Sequence, residues 1–121
     1  MIEENHDDSQ ILKDIFFKSL ELVDPTKKIE KIKIEPPSRK LFFAAVGKGA
    51  GRLAKAFKKS YQGKVDGIVV IPENEKCDEL GFEVIKATHP IPSQAGLDAS
   101  MKLLNKISKL GRDDLLVFCI S

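Results

Sequence analysis

This sequence is short of most residues that announce a specialised role. In 121 residues there are two cysteines, two histidines, one tyrosine and no tryptophan. Cys77 stands in a polar stretch and Cys119 in an apolar one, without C-x-x-C or Cys/His spacing. Neither a disulfide framework nor a Cys/His metal knot is built from such a set, and a reducing, cytoplasmic setting is expected. No charge sign dominates. The formal net charge of +2 is too balanced for the concentrated basic face that nucleic-acid binding uses. Lys55, Lys58 and Lys59 do cluster, but no aromatic platform or base-reading motif accompanies them, and a solvated helix face accounts for them. No apolar run approaches a membrane span. Met1–Asp8 is acidic and polar, unlike a signal peptide. Repeats and low-complexity tracts are missing as well. What remains is one domain's length of chain, 42% hydrophobic and 31% charged, enough for an ordinary core.

Periodicity and punctuation place the elements. Residues 1–9 read as a flexible lead-in. Asp8 or Ser9 can cap a helix carrying Ile11, Leu12, Ile15, Phe16, Leu20 and Val23 on one stripe. Asp24-Pro25 ends it, because the residue before proline avoids the helical region. Thr26–Lys40 reads as a charged connector with a short strand among Ile29, Ile32 and Ile34, closed by Pro36-Pro37. Leu41–Val46 is a strand. Gly51–Tyr61 is a helix with Leu53, Ala54 and Phe57 inward, stopped at Gly63. Val65–Ile71 is a second strand, Glu73–Leu80 a polar loop and Phe82–Ala87 a third strand. Ser93 can cap a helix whose stripe is Leu97, Met101, Leu104 and Ile107, closed by Gly111, and Leu115–Ser121 is the last strand. Near-continuous apolar strands alternating with helices predict an α/β fold: a Rossmann-like, mostly parallel sheet with flanking helices. The short, helix-free link between the second and third strands leaves the strand order open.

In an open α/β sheet, ligands bind beyond the carboxyl ends of the strands. Three features fall there: Gly47-Lys48-Gly49-Ala50-Gly51, Thr88–Ser93 with His89, and whatever would follow Ser121 after the last strand. The glycine turn is neither a full G-x-G-x-x-G fingerprint nor a P-loop. It reads equally as an anion cradle at a helix N-terminus and as a tight strand-to-helix turn. Lys48 opposes the helix dipole there, at a cost of roughly 0.3–1 kcal/mol, which makes sense if an anion is present. His89 is either a substrate-facing imidazole or a histidine that hydrogen-bonds its own rigid loop; no partner carboxylate is visible in the sequence. Asp66, Asp113 and Asp114 lie at the amino ends of strands, the wrong end for such a site. Arg52, in the first turn after the glycines, reads as a solvated helix residue.

Taken together, several segments resemble one family. Leu12–Pro25, Val46-Gly47-Lys48-Gly49-Ala50, Gly67-Ile68-Val69-Val70, Ala87-Thr88-His89-Pro90-Ile91-Pro92, Gly96 and Asp113-Asp114-Leu115-Leu116-Val117 are similar to the N-terminal portion of the type II glycerate kinases. This is the glycerate 2-kinase group with a C-terminal MOFRL domain. The pairing of a G-K-x-A turn with H-P-x-P carries the resemblance, which extends from about Gln10 onward. It implies a Rossmann-like domain and ATP-dependent phosphorylation of D-glycerate to 2-phosphoglycerate with Mg2+. It implies Lys48 as the catalytic residue, with Gly47, Gly49, Gly51, His89 and Ser121 about the substrate and phosphates and no metal ligand among these positions. Some members are labelled hydroxypyruvate reductases.

Two departures are mild: Gly49 stands where a small residue such as alanine is usual, and Ser93 where aspartate is common. A third is large. In the family the strand matching Leu115–Ser121 runs on into a glycine-rich loop and much more protein. The resemblance therefore implies that residues 10–121 form an incomplete N-terminal domain that does not phosphorylate glycerate alone. Expected partners are glycerate and ATP, with no nucleic acid and no membrane. Leu115–Ile120, an apolar strand without a following helix, adds self-association or pairing with a complementing fragment. Two rivals stand beside the kinase. A nicotinamide-dependent hydroxypyruvate reductase is disfavoured by the incomplete fingerprint. A non-catalytic anion-binding α/β module is not.

Overall fold

The structure is a computed structural model and describes residues 7–77 and 81–121. Residues 1–6 of the expected lead-in, and the last three positions of the Glu73–Leu80 loop, lie outside the described residues.

The first helix, α1, spans Asp8–Val23. Its cap is Asp7 rather than Asp8 or Ser9: the Asp7 carboxylate accepts from the Gln10 amide at 3.3 Å, the position an N-cap side chain serves. Residues 7–9 are thus the start of the helix and not part of a lead-in. The segment read as a connector with a short strand begins instead with a second helix, α2, Pro25–Lys31. Asp24 both ends α1 and starts α2. Its carboxylate accepts from the Thr26 amide at 3.0 Å and the Thr26 hydroxyl at 2.7 Å, and these bonds hold its pKa below the usual carboxylate value. Pro25 sits in the first turn, where a missing N–H is harmless. Ile29 and Ile34 reach the core from this segment without forming a strand.

Then follow β1 (Leu41–Val46), α3 (Ala50–Ser60), β2 (Asp66–Pro72), β3 (Glu83–Ala87), α4 (Gln94–Ser108) and β4 (Leu115–Ile120). The four strands form one sheet in the order β3-β2-β1-β4, and every pairing is parallel. Ala44 of β1 lies opposite Ile68 of β2 and Phe118 of β4. The chain thus winds outward through β1, β2 and β3, then crosses back by α4 to the other side of β1.

β1 is buried on both faces because both faces are covered. Leu41, Phe43 and Ala45 point towards α3, where Phe43 stacks on Phe57 at 4.5 Å and on Phe82 at 5.1 Å, and Phe57 on Tyr61 at 5.5 Å. Phe42 and Ala44 point the other way, with Ile68 and with Leu103 of α4. Gly67 is required by this packing: a Cβ there would stand 2.3 Å from the Phe43 carbonyl oxygen. The inward residues expected for α3, Leu53, Ala54 and Phe57, are all buried. Of those expected for α4, only Ile107 packs against the core. Ala99 and Leu103 are buried and Ile107 packs beside them, whereas Leu97, Met101 and Leu104 are 56–60% exposed. The helix is apolar on more than one side, and the position of its sheet selects the face that spacing alone could not.

Other apolar surface stays bare. No residue of α1 is buried, and Ile11, Leu12, Ile15, Phe16 and Leu20 are each about half exposed or more. On β4, the face bearing Leu116, Phe118 and Ile120 is open, from 36% to 76%. An isolated helix of this length is marginal in water, and apolar surface left open on a helix and on an edge strand favours association. Light scattering is expected to give a mass above that of one chain, rising with concentration. A single-chain mass throughout would contradict this.

At the amino end of the sheet, Asp114 pins the strands together. Its carboxylate accepts from the Gly111 amide at 2.7 Å and the Lys40 amide at 3.0 Å. The Gly111 bond chiefly holds its pKa below the ordinary value. A pKa depressed by folding gives stability that is complete above the unfolded value of about 3.9 and is lost as pH falls through the folded value. Asp114→Asn is therefore expected to lower the urea midpoint at neutral pH and to flatten its decline below about pH 4.

Candidate functional site

The strand order locates the crevice. β1 has β2 on one side and β4 on the other: the chain leaves β1 through α3 towards β2 and reaches β4 only by crossing back from β3 through α4, so the winding reverses between β1 and β4. In doubly wound sheets this reversal is where ligands bind. Gly47 follows β1 at that point, and Ser121 follows β4.

The two ends are joined closely. The Ser121 amide donates to the Val46 carbonyl at 2.9 Å, and the Gly49 amide donates to Ser121 Oγ at 2.8 Å. Gly47 has φ +111°, a conformation L side chains rarely adopt, and a Cβ there would lie 2.1 Å from the Ser121 carbonyl oxygen. Only glycine meets both constraints. Gly49 is the N-cap of α3 and has no cap side chain. The Ala50 amide bonds Gly47 and the Leu53 amide bonds Gly49, while the Gly51 and Arg52 amides have no acceptor among the described residues. These two donors open the helix, where its dipole is positive.

Lys48 sits in the middle of this turn, exposed, with no hydrogen-bond or ion-pair partner among the described residues. Arg52 does have one: its guanidinium lies 3.6 Å from Asp24, so it leans towards α2 and away from the turn. Gly51 faces inward; a Cβ there would make ordinary contact with Cys77 and Ile71. Its contribution to the mouth is its amide alone.

His89 stands beyond the end of β3, two strands from β1, yet it shares a cavity with Gly47. That cavity is lined by Gly47, Val70, Pro72, Ala87, Thr88 and His89. The loop is braced by the Thr88 hydroxyl, which donates to the Ile91 carbonyl at 2.6 Å, and the His89-Pro90 peptide is cis. His89 is exposed and has no carboxylate partner among the described residues. Ser93 caps α4 as expected, accepting from the Gly96 amide at 3.3 Å.

The geometry thus brings Gly47, Lys48, Gly49 and Ser121 into one turn and sets His89 at its side. The acids Asp66, Asp113 and Asp114 lie at the opposite end of the sheet. Of the α3 lysines, Lys58 lies over the Phe82 ring and Lys59 near Glu30. The unpaired Gly51 and Arg52 amides are a further part of the site. Their signal in the sequence is a glycine N-cap, since no side chain is there to take them.

Residues 11–121 match the profile of a family described as a domain of unknown function, DUF4147. A protein of Agrobacterium vitis that carries the name hydroxypyruvate reductase is 27% identical over 113 residues, covering 93% of this chain. A D-glycerate 2-kinase of Thermotoga maritima is 27% identical over 110 residues, covering 89% of it. The chain spans about a quarter of the length of these curated relatives, 26% in both cases. The crystal structure of a glycerate kinase from Thermotoga maritima superposes with a TM-score of 0.74 at 26% identity, over 90% of this chain and 27% of that one. The winding of the sheet, the turn after β1 and these likenesses agree: the chain belongs to the DUF4147 family, the N-terminal domain of the glycerate 2-kinases.

Proposed function

We propose that this domain provides one wall of a D-glycerate 2-kinase site, where the terminal phosphoryl group of ATP passes to the 2-hydroxyl of D-glycerate. The observation that carries the reading is the turn at the β1/β4 reversal. There an exposed Lys48, with no ion-pair partner among the described residues, stands beside two helix-terminal amides that have no acceptor among them. Phosphoryl transfer asks a protein mainly for positioning and for positive charge where negative charge spreads over the phosphoryl oxygens. Lys48 supplies the charge. The amides of Gly51 and Arg52 supply donors, and Gly47 and Gly49 let backbone approach the ligand without a side chain between. His89 reaches the same cavity from β3 and can donate to a glycerate oxygen.

The donor set suits phosphate and does not suit a metal. No group of three His, Cys, Asp or Glu that could hold an ion exists among the described residues. Mg2+, where ATP brings it, would neutralise charge on the phosphate oxygens, and no ligand to it is drawn from these residues.

The name carried by the Agrobacterium relative keeps a nicotinamide-dependent reductase in view. The turn disfavours it: counting from Gly47, the sixth position of the dinucleotide fingerprint is Arg52 rather than glycine. Titration of the 15N-labelled protein separates the two. ATP is expected to shift the amide signals of Gly47–Arg52. Lys48→Ala should weaken ATP binding by about tenfold or more, as for loss of a charge-assisted contact of roughly 1.5–3 kcal/mol, with the circular dichroism spectrum unchanged. Shifts on adding NADH but not ATP would favour the reductase, and unchanged ATP affinity would remove Lys48 from the site.

A further inference from the structure

The structure assigns Ser121 the role of positioning residue for Lys48. α3 lacks a cap of its own, since its N-cap is Gly49. In a capping box the N-cap amide is accepted by a Glu or Gln side chain at the third helical position. Here that position is Arg52, which can only donate. The Ser121 hydroxyl takes the role from 72 residues away, accepting the Gly49 amide at 2.8 Å.

The same residue touches the turn on the other side of Lys48. Its carbonyl oxygen occupies the space that a side chain on Gly47 would need, 2.1 Å from the Cβ position. Its own amide is fixed to the Val46 carbonyl at 2.9 Å. Lys48 therefore lies between Val46 and Gly49, both hydrogen-bonded to Ser121, while its own side chain is held by nothing among the described residues. The end of β4 sets where the lysine's backbone stands and leaves its ammonium free to meet a ligand. Ser121 acts through the turn and not on the reacting atoms.

The consequence for ATP rests on the kinase reading above; the fixing of the turn does not. Ser121→Ala and Ser121→Thr in the 15N-labelled protein test both. The alanine variant is expected to speed hydrogen exchange at the Gly49 amide by roughly fivefold to tenfold, the range of a lost hydrogen bond of about 1 kcal/mol. The threonine variant, which keeps the hydroxyl, should bring exchange back to within about twofold of wild type. ATP binding should weaken several-fold in Ser121→Ala. It should change far less when the same substitution is made in Lys48→Ala, because residues that act as a unit are not additive. Unchanged Gly49 exchange in Ser121→Ala would overturn the assignment, as would an equal loss of ATP affinity with and without Lys48. If the wild-type protein binds no ATP, the kinase reading fails, and Gly49 exchange still decides the role of Ser121.

Discussion

β1 is the strand against which the rest of the domain is placed. It pairs with β2 on one edge and β4 on the other, and its residues from Leu41 to Ala45 are all at most 8% exposed. Few strands in so short a chain can be covered on both faces, and here the cover is specific. The Phe57 and Phe82 rings stack on Phe43 on one side, and Leu103 of α4 sits with Phe42 and Ala44 on the other. Truncating a ring buried like Phe43 typically costs about 3–5 kcal/mol, a large share of a small domain's stability. A strand held this firmly delivers its last residue, Val46, to a fixed point. The turn that follows starts from that fixed point, and its contacts with the end of β4 hold the rest of it.

The turn then satisfies two demands that oppose each other. Backbone must come close to the end of β4, which removes any side chain at Gly47 and forces its positive φ. Donors must also be left unpaired at the start of α3, which a serine or aspartate N-cap would consume. Glycine at 49 meets the second demand at some expense in helix stability, and Ser121 returns part of that stability from outside the helix by taking the Gly49 amide alone. Gly51 and Arg52 keep their amides open. A cap residue within the turn could not make that distinction, because its side chain would reach the second or third helical amide first.

Much of this was legible in the sequence, and the misreadings have physical causes. β1, α3 and β2 follow from a buried apolar run, a glycine turn and an amphipathic stripe, which are local signals. α2 was missed because Asp24-Pro25 reads as an ending; the same two residues also begin a helix, since aspartate caps and proline is tolerated in a first turn. The buried face of α4 was misjudged because Leu97, Met101 and Leu104 are as apolar as Leu103, and only the position of the sheet chooses between them. The strand order rested on the link from β2 to β3, which has no helix among its described residues to betray a crossover. The site was legible as a set of residues at strand ends. That Gly49 and Ser121 touch, 72 residues apart, follows only once β4 is known to lie beside β1.

The two ends of the sheet differ in electrostatic character, and the difference bears on what the domain can hold. At the amino end Asp114 is already engaged, accepting from two backbone amides. At the carboxyl end donors are in surplus among the described residues: the Gly51 and Arg52 amides have no acceptor and the Lys48 ammonium no ion-pair partner there, while the Arg52 guanidinium lies 3.6 Å from Asp24. A neutral ligand would leave that surplus uncompensated, and a cation would be repelled. A dinucleotide supplies negative charge, but its pyrophosphate needs glycine at the sixth fingerprint position so that helix and strand pack closely behind it. Arg52 occupies that position. A terminal phosphate or a small carboxylate asks only for the mouth of the turn, which is the part this chain leaves open.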